Sequence, residues 1–166
     1  CVDQAVSRET VRLAASGSRL FLIAQERGLD GKATFSVSTS AQDPWQAWST
    51  PHSFMGELAG VASGSDSFIA VFRSGAASRF RYTEKGLLSE ELPAGRKELQ
   101  AACGEGGSIW GLAADGTRLQ LLQLANSGWN PEGSTLELPE SSNSIELLAA
   151  GGRLYALVGL SLIHIS

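Results

Sequence analysis

Tryptophan is the residue type in this sequence best suited to recognition chemistry. Trp45, Trp48, Trp110 and Trp129 offer flat apolar faces of the kind that stack on the C–H face of a sugar ring. Trp110 lies inside an apolar run and belongs to a core, and Trp48 is expected to pack between repeat units. Trp45, beside Pro44, and Trp129, in Ser127-Gly128-Trp129-Asn130-Pro131, read as loop residues and are the candidate ligand contacts. His52 follows Pro51 in a connecting loop and is the third candidate.

Nothing else assembles a catalyst, so no catalytic residue is assigned. No GxSxG elbow occurs, and His52 alone does not furnish a Ser-His-Asp triad. Gly104-Glu105-Gly106-Gly107 opens like a dinucleotide loop, but Ile109 takes the last glycine position and no helix follows to receive a phosphate. It reads as a hairpin turn. Asp30, Asp66 and Asp115 each sit beside Gly or Ser, where Asp serves its own backbone. Glu90-Glu91 reads as a solvated strand edge. A glycosidase needs two carboxylates across one sugar, and nothing in the spacing pairs any two. No metal site and no cofactor are expected: the cysteines, Cys1 and Cys103, have no CxxC or Cys/His spacing. Cys103, in an apolar run, reads as a small buried hydrophobe.

The elements that would position these residues come from an internal repeat. Gly17, Gly64, Gly104 and Gly151 each follow a run of small residues and precede a short apolar strand, at spacings of 47, 40 and 47 residues. Pro51, Pro93 and Pro139 run in phase, 42 and 46 residues apart. Within the first unit, strands are expected near 11–15, 19–25 and 33–38, with a two-residue turn at Asp30-Gly31. A fourth is expected near 46–49, ended by Pro51. Asp115-Gly116 marks the corresponding turn of the third unit. Four short antiparallel strands every 40–47 residues is the period of a β-propeller blade. The fold class is therefore all-β, a partial β-propeller with blades at about 8–57, 58–98 and 99–146 and the start of a fourth at 147–159. A β-sandwich is the alternative, but it does not require the repeat.

Composition narrows the function. The chain carries 13 basic and 17 acidic side chains, a formal charge of −4, which opposes a nucleic-acid partner. Hydrophobic residues at 43% oppose disorder. The apolar stretch 147–165 is interrupted by Gly151-Gly152-Arg153 and reads as short strands rather than a membrane span.

With the repeat in view, Asp43-Pro44-Trp45-Gln46-Ala47-Trp48-Ser49-Thr50-Pro51 resembles the repeats of bacterial fucose-binding-type propeller lectins, which carry Trp-x-x-Trp before a Leu-Pro. The third unit keeps Trp129 and Leu138-Pro139, and the second only Leu92-Pro93. Asp43 and Trp48 also have the spacing of the Asp-box of sialidase-like propellers, with Ala41 and Trp45 replacing its Ser and Gly. These resemblances imply a non-catalytic ligand-binding module for carbohydrate. A sialidase-like glycoside hydrolase and a protein-interaction scaffold are the alternatives, so the partners expected are a glycan or a protein. The hydrolase would need an arginine cluster and a tyrosine; Arg73, Arg79, Arg81, Tyr82 and Tyr155 are scattered in the sequence.

Cys1 is similar to the first residue of a mature bacterial lipoprotein, and three lysines against ten arginines fit an extracellular or cell-surface location. Residues 160–166 break the blade pattern and resemble adapter read-through, so they are expected to be a non-native tail. Three and a half blades do not close a ring; the expectation is a longer native protein or, failing that, an oligomer.

Overall fold

The computed structural model describes residues 7–17, 19–41, 48–49, 51–125, 128–138, 144–159 and 161–164, and the described secondary structure is all β. The strands fall into four groups. The first holds β1 (Ser7–Ser16), β2 (Arg19–Arg27), β3 (Ala33–Ala41) and β4 (His52–Met55). The second holds β5 (Leu58–Ser63), β6 (Ser67–Phe72), β7 (Ala77–Thr83) and β8 (Gly86–Leu92). The third holds β9 (Ala101–Glu105), β10 (Ser108–Asp115), β11 (Arg118–Ala125) and β12 (Gly128–Pro131), with a short β13 (Leu136–Glu137) also on β11. The fourth holds β14 (Ile145–Ala150), β15 (Arg153–Val158) and β16 (Ser161–His164). Each group is an antiparallel meander, the blade of a propeller.

Period-two burial explains why these runs are strands. On β2, Phe21, Ile23 and Gln25 are buried while their neighbours are only half-buried; Phe35 and Val37 do the same on β3. Each blade thereby presents one apolar face to the next. Three clusters fill the three junctions: aromatic between blades 1 and 2, and largely aliphatic between 2 and 3 and between 3 and 4.

The innermost strands explain the small residues of the repeat. β5 and β9 pair in parallel, Gly60 opposite Ala102 and Ala62 opposite Gly104, so blades 2 and 3 share one continuous sheet. A Cβ on Gly60 would run into the Ala102 carbonyl. The other two junctions are joined at the hairpin ends. Ala15 N donates to Ser63 Oγ at 3.2 Å, and Gly151 N and Gly152 N donate to the two carboxylate oxygens of Glu105 at 3.0 and 3.1 Å. Gln25 Oε1 accepts from Leu58 N at 2.8 Å, tying blade 1 to blade 2 in the interior.

Three local expectations are corrected. The fourth strand is expected near 46–49; 46 and 47 lie outside the described residues, 48 and 49 are not in a strand, and β4 follows Pro51 instead of ending at it. Proline fits the residue before a strand as well as the residue after one, and Ser49 N is bonded to Thr39 O at 2.9 Å outside the ladder. The connection at Asp30-Gly31 spans 28–32: Asp30 Oδ1 accepts from Lys32 N at 3.1 Å and Gly28 N donates to Lys32 O at 3.0 Å, which holds these residues out of the ladder. The third-unit turn is Gly116-Thr117, with Asp115 still paired to Arg118. Gly106-Gly107 is a two-residue hairpin turn, at φ 60° and 88°, as read from the sequence. Of the apolar stretch 147–165, residues 147–150, 153–158 and 161–164 lie in β14, β15 and β16, the last of these within the segment expected to be a non-native tail; 160 and 165 lie outside the described residues. Among the described residues no helix is long and apolar enough to cross a membrane.

Candidate functional site

All six phenylalanines of the chain meet at the junction of blades 1 and 2. Phe35 is in ring contact with Phe54, Phe72 and Phe80 at centroid distances of 5.3, 5.9 and 5.7 Å, and Phe68 stacks on Phe80 at 5.0 Å. Toward the outer strands the rings are no longer covered. A groove of about 650 Å³ opens there, floored by Phe54, Phe72 and Met55 and rimmed by Ser74, Ser78, Ser89, Glu91 and Arg96. Phe54 and Phe72 are half-buried and Met55 is 65% exposed, so apolar surface faces the opening.

One wall of this groove is the β6–β7 turn, 73–76, and it is fixed from two sides. The 93–100 connection lies along it, with Lys97 N donating to Ser74 O at 3.0 Å and Leu99 N to Arg73 O at 2.8 Å. Gly75 permits that approach, since a Cβ there would strike the Lys97 backbone. From blade 3, Trp129 Nε1 donates to Gly75 O at 2.8 Å.

Charges gather at the same end. Glu57 Oε1 lies 3.1 Å from Arg27 Nη2 and 3.1 Å from Arg73 Nε; the second contact is ionic, its angle being poor for a hydrogen bond. Arg73 Nη1 donates to Gln100 Oε1 at 2.9 Å. A second, open cavity of about 500 Å³ lies over these groups, lined by Glu57, Arg73, Ser74, Arg96, Lys97 and Glu98. Ser74 and Arg96 line both cavities, so the two are adjacent.

The residues singled out in the sequence are distributed differently. Trp45 lies outside the described residues. Trp129 is in β12, an edge strand and not a loop, half-buried against the cluster between blades 2 and 3; glycine at 111 leaves room for its ring. Its role in the groove is that of a buttress, through Gly75. His52 is exposed at the start of β4, three positions before Met55, and does not line the groove. Trp110 packs half-buried against the cluster between blades 3 and 4. Cys103 is buried there too, its thiol pushed up to about 12 by burial and, secondarily, by the Glu105 charge.

Arg79 and Arg81 line a cavity of about 350 Å³ between blades 2 and 3, and pair with Glu90 at 3.8 Å and Asp66 at 3.1 Å. Arg73 is in the groove turn instead, Tyr155 is in blade 4, and Tyr82 lies under the Arg19 guanidinium at 4.0 Å. The structure does not bring these groups into one cluster. Among the described residues no three His, Cys, Asp or Glu side chains converge closely enough to hold a metal.

No protein-family model matches the chain, and no curated protein does. Among solved structures it is similar to glutaminyl cyclase of Myxococcus xanthus, at 15% identity and a TM-score of 0.49, covering 96% of this chain and 71% of that one. It is also similar to the computationally designed Ika4 protein, at 12% identity and a TM-score of 0.48, covering 96% and 94%. A third similarity is to BBS1N in complex with ARL6DN, at 10% identity, a TM-score of 0.38 and coverages of 96% and 64%. Such distant likenesses carry no argument about activity.

Proposed function

We propose that the chain is a non-catalytic ligand-binding module that takes carbohydrate in the groove between blades 1 and 2. The supporting observation is the groove's composition: half-buried Phe54 and Phe72 and exposed Met55 beside serine hydroxyls, a carboxylate and a guanidinium, in a space of about 650 Å³. Ring C–H faces of a sugar lie on the aromatic floor, and its hydroxyls find both donors and acceptors at the rim. The resemblance of the 43–51 segment to propeller-lectin repeats points the same way.

The test is a screen of oligosaccharides by calorimetry on the whole chain, repeated with Met55→Asp and Ser89→Trp. Met55 and Ser89 are exposed, so both variants keep the fold while altering the groove. Binding that both variants abolish supports the reading; binding that neither changes places the sugar elsewhere, and no binding across the screen overturns it.

A protein-interaction scaffold is the second reading. Val11 and Leu13 on blade 1 are 56% and 64% exposed, and Leu148 on blade 4 is 57% exposed. These apolar side chains at the two ends of the blade array are the kind a protein partner covers. Crosslinking from Leu13→Cys and Leu148→Cys variants in native extract would distinguish it from the sugar reading.

A further inference from the structure

We propose that the ligand of this groove is an acidic saccharide, its carboxylate or sulfate held at Arg96 and Lys97; the inference rests on the carbohydrate reading above. Three observations carry it.

The first is that these two cations are free. Among the described residues neither side chain has an ion pair or hydrogen bond, whereas Arg27, Arg73, Arg79 and Arg81 are each matched to a carboxylate. The second is the local balance of charge. The cavity beside the groove is lined by Arg73, Arg96 and Lys97 against Glu57 and Glu98, and Glu57 is already shared between two arginines. Positive charge is in surplus here in a chain whose formal charge is −4. The third is preorganisation. Arg96 and Lys97 sit on a backbone fixed by the Lys97 N to Ser74 O and Leu99 N to Arg73 O bonds, so little main-chain order remains to be gained on binding.

The acidic group also has a defined end of the groove. Arg96 and Ser74 stand where the groove meets the cationic cavity, while Glu91 lines only the groove. A sugar lying on Phe54 and Phe72 therefore meets an acceptor for its hydroxyls at Glu91 and a cationic receptor past Arg96. Arginine offers the paired donors that a planar carboxylate accepts, and Lys97 adds a mobile point charge.

Two matched pairs of probes test this by calorimetry: tri-galacturonate with its methyl ester, and sulfated maltotriose with maltotriose. Exposed ion pairs each change affinity by about two- to fivefold, so an acidic probe should bind roughly tenfold more tightly than its neutral twin. The gap should close in the Arg96→Gln, Lys97→Gln double variant, whose melting temperature stays that of the parent because both side chains are exposed and unpaired. It should also close between about 0.1 M and about 1 M salt, as the Debye length shortens from about 10 to about 3 Å. Equal binding of both members of each pair, or a preference that survives the double variant, overturns the acidic assignment and leaves the carbohydrate reading standing. If neither pair binds and neutral oligosaccharides do, the acidic assignment again fails alone. If no saccharide of either kind binds, both fail.

Discussion

The junction between blades 1 and 2 and the junction between blades 3 and 4 both lie between antiparallel meanders and are filled by different means. The first is packed with phenylalanine from six positions, the second with Leu112, Leu119, Leu147 and Leu154 around Ala101 and Ala156. Branched aliphatic side chains interdigitate at short range and close the gap between two sheets. Large planar rings hold the sheets together at the centre of the junction but are only half-covered at its outer edge, and there the groove opens. The comparison teaches that in this repeat the blade supplies the scaffold, while the residue type at one junction decides where a groove opens.

The difference can be broken or sharpened by substitution. The largest effect is expected from Phe35→Ala, which empties the centre of the aromatic junction. Stability in urea should fall by about 3–5 kcal/mol, and saccharide binding should fall with it. Leu147→Ala at the aliphatic junction should cost about 2–3 kcal/mol and leave binding unchanged. If binding were lost equally in both, the groove would not belong to the aromatic junction. Next comes Gly60→Ala, where the added methyl group meets the Ala102 carbonyl; a loss of about 1–3 kcal/mol by thermal melting is expected. Trp129→Phe keeps an aromatic ring against Gly111 and removes the bond to Gly75 O. A loss of about 1 kcal/mol is expected, with a weaker saccharide affinity because the turn behind Arg96 loosens.

The smallest effect concerns Cys103, a reporter inside the aliphatic junction. Its folded value of about 12 lies above the ordinary 9.0, so the folded chain keeps the proton that the unfolded chain releases. This thiol therefore leaves stability unchanged below pH 9 and lowers it as the pH rises from 9 toward 12. Iodoacetamide at pH 8 should label Cys103 only after denaturant opens the junction, which mass spectrometry reads directly.

The blade plan was legible in the sequence because its signals are local. Small residues before Gly17, Gly64 and Gly151 mark inner strands that end in hairpins, and Gly106-Gly107 has the turn its residues demand. Gly104, in phase with the others, sits within β9 and not at a turn; absence of a side chain there lets Ala62 of the neighbouring blade approach. Two misplacements share one cause. Pro51 and the Gly-Trp-Asn-Pro of 128–131 were read as loop signals, yet both adjoin or form outer strands, where a missing ladder donor costs little. That reading hid the part Trp129 plays as a buttress.

The groove itself was not legible. Its floor and rim come from β3, β4, β6, β7, β8 and the loop after them, and no spacing within one blade announces a cluster made by two. The signal that was there is coarse: every phenylalanine lies at or before position 80, while the chain runs to 166.

The parallel pairing of β5 with β9 has a consequence for how the molecule comes apart. Blades 2 and 3 are one hydrogen-bonded sheet and are expected to open as one cooperative unit, holding the last amides to exchange with deuterium. Blade 1 meets that unit through the aromatic cluster and single contacts at Ser63, Gln25 and Glu57, with no ladder between them among the described residues, and is expected to detach sooner. The groove straddles this weaker seam. A saccharide bound there as proposed would need the seam shut and would act as a clasp, with exchange in β1 to β4 expected to slow by mass action while the central sheet stays as it was.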